Sequence, residues 1–162
     1  MSGYMGAQVC LNGHTVTASM DGGPHRSERF CSKCGEPTIT QCPHCPAFIR
    51  GEPIMPQGVF VMASFYRRPS FCHNCGKPFP WTENAIANAM ELAEEGGDLS
   101  TQELQQLRVD LQDLTKDSPR TQVASIRFKK MMAKLGGSIG SGVKDIMVDV
   151  LSEAAKKILL PP

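Results

Sequence analysis

Four short cysteine-containing segments organise the sequence. They read Cys10-Leu-Asn-Gly-His14, Cys31-Ser-Lys-Cys34, Cys42-Pro-His-Cys45 and Cys72-His-Asn-Cys75. Two ligands separated by two residues can hold one tetrahedral zinc ion from a single tight turn. A glycine follows the second cysteine at Gly35 and Gly76. Because glycine tolerates positive φ, backbone N–H groups in these turns can point at the sulfur atoms. The spacing therefore predicts metal-binding turns.

The number of ligands suggests two zinc sites. A structural zinc site takes four ligands, and the chain has seven cysteines. Adding His14 gives eight ligands, which fill two sites with none left over. We therefore predict two structural Zn²⁺ ions held by Cys10, His14, Cys31, Cys34, Cys42, Cys45, Cys72 and Cys75. The other histidines, His25, His44 and His73, are expected not to be ligands.

The spacing allows two ways of pairing the turns. Sequential pairing places site one within residues 10–34 and site two within residues 42–75, each joined across a hairpin as in a zinc ribbon. Cross-braced pairing joins the first turn to the third and the second to the fourth. Strand-like runs at residues 15–18 and 59–63 favour the hairpins of sequential pairing, but the sequence leaves both arrangements open.

Composition separates the chain into two parts near Trp81. Nine of the 12 prolines and nine of the ten aromatic residues lie in residues 1–81, whereas later apolar residues recur at helical spacing. This pattern predicts an α+β protein, with tandem zinc ribbons of short β-hairpins at residues 8–81 and a helical region after them. A segment of this size that is rich in proline and glycine buries little apolar surface, so bound zinc would stabilise its fold.

The helical region shows several terminus signals. Thr82 can cap a first helix that ends near Glu95. Ser100 and Glu103 form a capping box for a second helix, and Pro119 opens a third. These signals predict a helical domain at residues 82–135. Four glycines in residues 136–142 predict a flexible hinge, followed by an amphipathic helix at residues 143–160. That helix can pack on its own bundle, dock on a partner or a second copy, or lie on a membrane. Charges of both signs disfavour the membrane.

Charge is nearly balanced over the whole chain but segregated within the helices. The formal net charge is +1, which argues against a general polyanion binder. Residues 83–117 contain nine acids, and residues 118–134 contain five bases and no acid. We expect neighbouring helices with complementary faces, or simply solvated faces. No apolar run is long enough for a membrane span, and the N-terminus lacks the apolar core of a signal peptide. We therefore expect a soluble, cytoplasmic protein.

A smaller set of residues suggests contacts with nucleic acid. Aromatic side chains beside arginines can stack on single-stranded bases, but the same residues can equally form the core and a solvated turn of a ribbon. The candidates are Arg26, Arg29, Phe65, Tyr66, Arg67 and Arg68.

The cysteine segments also carry a family resemblance. The strings VCLNGH at residues 9–14, FCSKCG at 30–35, CPHC at 42–45 and FCHNCGKPFPWTE at 71–83 resemble those of a bacterial family of uncharacterised proteins, a domain of unknown function. The resemblance implies zinc ribbons with ligands at the eight positions named above. It implies no activity.

The favoured function is that of a non-enzymatic zinc-binding adaptor or regulator. Its ribbons and hinged helix would contact a macromolecular partner, for which we favour protein, and the helical region could form a homo-oligomer. Closed thiolate-rich sites leave no position for a substrate, and no nucleophile–base pair is apparent in the sequence. The alternative is a zinc-ribbon protein that binds nucleic acid.

Overall fold

The structure is a computed structural model that describes residues 3–22, 26–56 and 66–162. The chain forms two compact units, Met1–Trp81 and Thr82–Pro162. Short antiparallel strands occupy the first unit and helices make up the second, which confirms the predicted α+β class.

The described elements have the following bounds. The strands are β1 (Tyr4–Gly6), β2 (Gln8–Cys10), β3 (Thr15–Thr17), β4 (Thr38–Ile39) and β5 (Arg50–Pro53). The helices are α1 (Pro80–Glu95), α2 (Thr101–Leu114), α3 (Arg120–Leu135), α4 (Gly137–Met147) and α5 (Glu153–Leu159).

Two small antiparallel sheets form the first unit. One has the strand order β3-β2-β4, and the other pairs β1 with β5. Strand β2 is central to the first sheet, and its Val9 is fully buried between Thr15 on β3 and Ile39 on β4. The predicted strand at residues 15–18 corresponds to β3. The predicted strand at residues 59–63 lies outside the described residues.

The apolar core of the first unit is small. Among its described residues, the large buried apolar side chains are Val9, Ile49, Phe79 and Trp81. Trp81 stacks on Phe79 with ring centroids 4.6 Å apart, and its Nε1 donates a hydrogen bond to the carbonyl oxygen of Pro69 at 2.9 Å. Such a core leaves much of the stabilisation of this unit to other interactions.

The first three helices follow the sequence signals closely. Helix α2 begins with the predicted capping box, in which the Ser100 hydroxyl accepts from the Glu103 N–H while the Glu103 carboxylate accepts from the Ser100 N–H. Helix α3 begins directly after Pro119. Helix α1 begins at Pro80, two residues before the predicted cap, since proline is well suited to the first position of a helix.

Helices α2 and α3 carry the complementary charges that the sequence predicts. Three ion pairs join them, namely Glu103–Lys134, Asp110–Arg127 and Asp113–Arg120. The paired positions rise along one helix as they fall along the other, so the two helices are antiparallel. Much of the basic character of α3 is therefore neutralised within the helical unit.

The predicted hinge at residues 136–142 is wrong. Gly136 ends α3 with φ of +68°, and α4 begins at the next residue. Gly140 is buried, and a Cβ atom at this position would lie 2.7 Å from the carbonyl oxygen of Met132 on α3. This glycine therefore permits close packing of α4 on α3 and does not mark a flexible joint.

The predicted continuous helix at residues 143–160 is also wrong. It is interrupted after Met147, and α5 begins after Ser152, whose hydroxyl accepts from the Ala155 N–H. The Ser152 N–H donates to the carbonyl oxygen of Leu114 at 2.9 Å, which anchors the break at the end of α2. Both α4 and α5 pack on α3, so the apolar stripe packs on its own bundle, as one of the three alternatives expected.

Candidate metal centres

A β-hairpin carries the first two predicted ligands. Cys10 ends β2 and His14 immediately precedes β3. The turn is closed by hydrogen bonds from the Cys10 N–H to the His14 carbonyl at 3.0 Å and from the Gly13 N–H to the Cys10 carbonyl at 2.8 Å. Gly13 has φ of +89°, a conformation that L side chains rarely adopt. The hairpin thereby brings both side chains to one end of the sheet.

Two of the cysteine turns are copies of one structural unit. They are the segments Phe30–Pro37 and Phe71–Pro78, which share the pattern Phe-Cys-x-x-Cys-Gly-x-Pro. In each copy the N–H of the first cysteine donates to a carbonyl five residues later, at 2.8 Å for Cys31 and 2.9 Å for Cys72. An isolated bridge joins the phenylalanine to the proline in both. The repeated pattern is visible in the sequence but was not used as a signal there. One copy supplies two ligands to the first site and the other copy supplies two ligands to the second.

The remaining turn closes without a glycine. The Cys42 N–H donates to the carbonyl of Ala47 at 2.8 Å, which is the same five-residue closure, and Gln41 bridges Phe48. The backbone N–H of His44 lies 3.4 Å from the Cys42 Sγ and donates to it. Three cysteine turns therefore share one hydrogen-bonding scheme despite their different residues.

The structure brings the eight predicted ligands together in two clusters. Cys10, His14, Cys31 and Cys34 form one, and Cys42, Cys45, Cys72 and Cys75 form the other. Within each cluster the potential ligand atoms all lie within 4.8 Å of one another. This is the sequential grouping, and the cross-braced alternative does not occur.

Distances within the clusters fit a tetrahedral zinc shell. Zn–S bonds of ~2.3 Å and Zn–N bonds of ~2.0–2.1 Å imply edges of about 3.8 Å between sulfurs and about 3.5 Å between sulfur and nitrogen. In site one, Cys10 Sγ lies 3.7 Å from Cys34 Sγ, and His14 Nδ1 lies 3.5 Å from Cys10 Sγ and 3.6 Å from Cys31 Sγ.

Site two shows the same spacing with sulfur ligands alone. Cys42 Sγ lies 3.7 Å from Cys75 Sγ, and Cys45 Sγ lies 3.6 Å from Cys72 Sγ. The side-chain amide of Asn74 also donates to Cys45 Sγ at 3.6 Å. Both donor sets, with three sulfurs and one nitrogen or with four sulfurs, are those of structural zinc sites.

Backbone amides favour ionisation of one cysteine in each repeated turn. Burial raises the pKa of the Cys72 thiol, but backbone N–H groups of Cys75 and Asn74 outweigh it and lower the pKa to about 6. The pKa of Cys31 is lowered by the corresponding N–H groups, whereas burial raises the pKa of Cys42 to about 11 and also raises that of Cys10. In each site, one thiol therefore loses its proton more readily than an ordinary cysteine does.

The other histidines stand apart from the two clusters. His44 and His73 lie in the cysteine turns but belong to neither cluster, and the His73 ring packs 5.6 Å from that of Phe48. His25 lies outside the described residues.

The predicted nucleic-acid residues do not form one exposed surface. Arg26, Arg29 and Arg67 are exposed, and Phe65 lies outside the described residues. Tyr66 is half-buried and donates its hydroxyl to the carbonyl of Arg50 at 2.7 Å, while burial raises its pKa to about 12. Nε of Arg68 is buried. Tyr66 and Arg68 therefore belong to the packed structure of the ribbon region.

Comparison with known proteins places the chain in a family. A protein-family model described as uncharacterized protein conserved in bacteria (DUF2321) matches residues 3–159. The chain belongs to this family. The DUF2321 match covers both metal clusters and the whole helical bundle, and it agrees with the resemblance noted from the cysteine strings. No curated protein and no solved structure matches the chain. Across residues 3–22, 26–56 and 66–162, no helix has the length and apolarity needed to cross a bilayer.

Proposed function

We propose that this protein is a non-enzymatic zinc-binding adaptor or regulator that contacts another protein. The observation that carries the proposal is the pair of four-ligand clusters at residues 10–34 and 42–75. Four protein ligands complete a tetrahedral shell and leave no position for water or substrate. Thiolate ligands also donate charge to the ion and weaken it as a Lewis acid. Two structural Zn²⁺ ions would therefore hold the first unit in a shape suited to recognition.

One face of α3 supports a protein partner. Val123 and Ile126 are 46% and 48% exposed and lie three residues apart, so they share a helix face. Lys130, four residues after Ile126, is exposed on the same face, and Lys129 is exposed beside it. Apolar side chains next to unneutralised bases suit an acidic protein surface, because burial and charge attraction then act together.

The partner class can be tested by affinity capture from a bacterial lysate. The full chain, loaded with zinc, is compared with the double variant Lys129→Glu/Lys130→Glu after nuclease treatment. As a matched control, Lys144→Glu/Lys157→Glu changes the net charge equally at another place on the helices. We expect a specific protein to be retained by wild type and the control and lost from the α3 variant. Capture that disappears with nuclease, or no difference between the two variants, would contradict the proposal.

A second candidate function is suggested by Phe30. Its side chain is 58% exposed on the first repeated turn, between the exposed residues Arg29 and Lys33 on either side. An exposed aromatic ring with neighbouring bases can stack on a single-stranded base. This function predicts salt-dependent binding of a single-stranded oligonucleotide that weakens about fivefold or more in Phe30→Ala, since stacking contributes ~1–3 kcal/mol per base. Absence of binding at low salt would exclude it.

A further inference from the structure

The turn that holds two ligands of site one is packed against the segment that holds two ligands of site two. A Cβ atom on Gly13 would lie 2.6 Å from Nε and 2.9 Å from Cζ of Arg68, and 2.8 Å from the Cβ of Trp81. Arg68 precedes the turn Cys72–Cys75 and Trp81 follows it. Both flanks of the site-two turn therefore contact the residue that precedes His14.

These flanks are rigidly connected to the site-two turn. The Phe79 N–H donates to the carbonyl of Ser70 at 3.0 Å, and the Trp81 indole N–H donates to the carbonyl of Pro69 at 2.9 Å. The rings of Phe79 and Trp81 also stack on each other, with centroids 4.6 Å apart. Closing the turn around a metal would thus set the position of Arg68 as well as that of its own cysteines.

Arg68 carries a charge that the first metal centre can balance. Its Nε is buried and has no hydrogen-bond partner within the described part of the chain. Arg68 as a whole is half-buried, and a cation partly withdrawn from water is costly unless an opposite charge lies nearby. A divalent ion with three thiolates and one neutral imidazole has a net charge of about −1. Arg68 lies against the turn that presents two of those four ligands, Cys10 and His14.

A second connection joins the two sites through the sheet. Strand β4 lies between Cys34 of site one and Cys42 of site two. Thr38 on β4 pairs with Cys10 on β2. Ile49 follows the Cys42–Cys45 turn, and its N–H donates to the carbonyl of Thr40 at 2.9 Å. The chain that leaves one centre is therefore held in place as it enters the other.

We infer that Arg68 is a positioning residue that couples the two metal centres, so that Zn²⁺ in either centre raises the affinity of the other. The inference rests on the proposed zinc binding. Metal in site two sets Arg68 against Gly13 and orders the Cys10–His14 turn, and metal in site one supplies the negative charge that retains Arg68. Because the coupling is a free energy shared by both sites, it acts equally in both directions.

Native mass spectrometry of the full chain tests this coupling directly. Reduced apoprotein receives one equivalent of Zn²⁺, and the species with no, one and two ions are measured. For two tight independent sites, the one-metal species makes up about half of the chains or more, and unequal affinities only increase that share. We expect wild type to fall clearly below half, with apo and two-metal chains predominating.

Variants of Arg68 identify the residue responsible. Arg68→Ala should raise the one-metal share to about half or more, and Arg68→Lys, which retains the charge, should restore part of the coupling. Arg67→Ala removes the same charge from the exposed neighbouring position and should behave as wild type. Arg68→Lys also keeps the test informative if Arg68→Ala folds poorly, whereas Gly13→Ala is unsuitable because Gly13, with φ of +89°, belongs to the Cys10–His14 turn itself.

Two results would overturn the inference. One is a one-metal share of half or more in wild type, and the other is a share in Arg68→Ala that stays as low as in wild type. The second result would mean that the cooperative binding of the two ions comes from folding of the whole first unit and not from Arg68. In both cases two ions would still bind at excess Zn²⁺, so the proposed function would stand. Uptake of fewer than two ions at excess Zn²⁺ would instead contradict zinc binding itself.

Discussion

Removing zinc should unfold the first unit and leave the helical unit folded. The large buried apolar side chains described in the first unit, Val9, Ile49, Phe79 and Trp81, contribute roughly 6–12 kcal/mol in total at about 1.5–3 kcal/mol each. A structural zinc ion contributes about 10–16 kcal/mol of folding free energy. Two ions would therefore outweigh the apolar core of this unit. The helical unit contains neither metal cluster and buries its own leucine-rich core.

Trp81 provides a specific signal for this experiment. It is the only tryptophan, it is 2% exposed, and it stacks on Phe79 in the first unit. Addition of a strong chelator should shift its fluorescence emission to the red, while far-ultraviolet circular dichroism retains most of the helical signal. Excess Zn²⁺ should reverse the shift. An emission spectrum that stays unchanged after metal analysis shows the zinc to be gone would refute the reasoning.

Three further predictions concern the helical unit and are measured by urea unfolding monitored with circular dichroism. Gly140→Ala should cost about 1–3 kcal/mol, because its Cβ would lie 2.7 Å from the Met132 carbonyl oxygen. Gly142→Ala should cost less, since its Cβ would meet only the tip of a leucine side chain, and equal losses would contradict the packing argument. Burial raises the pKa of the Asp110 carboxyl above its ordinary value of 3.8, so the folded state favours the protonated form. The stability that protonation of Asp110 contributes is present below pH 3.8 and is lost as the pH rises through the raised pKa. Asp110→Asn should therefore gain stability relative to wild type as the pH rises above about 4, and a difference that stays constant with pH would exclude this explanation. Ser100→Ala should cost about 1 kcal/mol through loss of the α2 cap, whereas an unchanged midpoint would show that the cap contributes little.

The metal clusters were predictable because their chemistry is local. Two cysteines with two residues between them form a metal-binding turn almost independently of the rest of the chain. The ligand count then supplied His14, and the strand-like runs favoured the sequential grouping that the structure shows. The contact of Arg68 with Gly13 was not predictable, because it depends on how two distant segments pack.

The C-terminal region shows where sequence patterns were insufficient. A glycine-rich run such as residues 136–142 is typical of a flexible joint in an isolated chain, whereas here Gly140 allows two helices to approach closely. The interruption between α4 and α5 depends on a hydrogen bond from Ser152 to Leu114, which is remote in sequence. Ser152 just before Glu153 was nevertheless an available cap signal that would have marked the start of α5.

The most direct test is the number of metal ions that each chain carries. The intact mass under non-denaturing conditions, measured after purification without chelators, should show two Zn²⁺ ions per chain. His14→Ala should lose one ion or bind it far more weakly, and His44→Ala, a histidine outside both clusters, should retain both. Fewer than two ions in wild type, or undiminished binding of both ions in His14→Ala, would contradict the existence of two closed zinc centres.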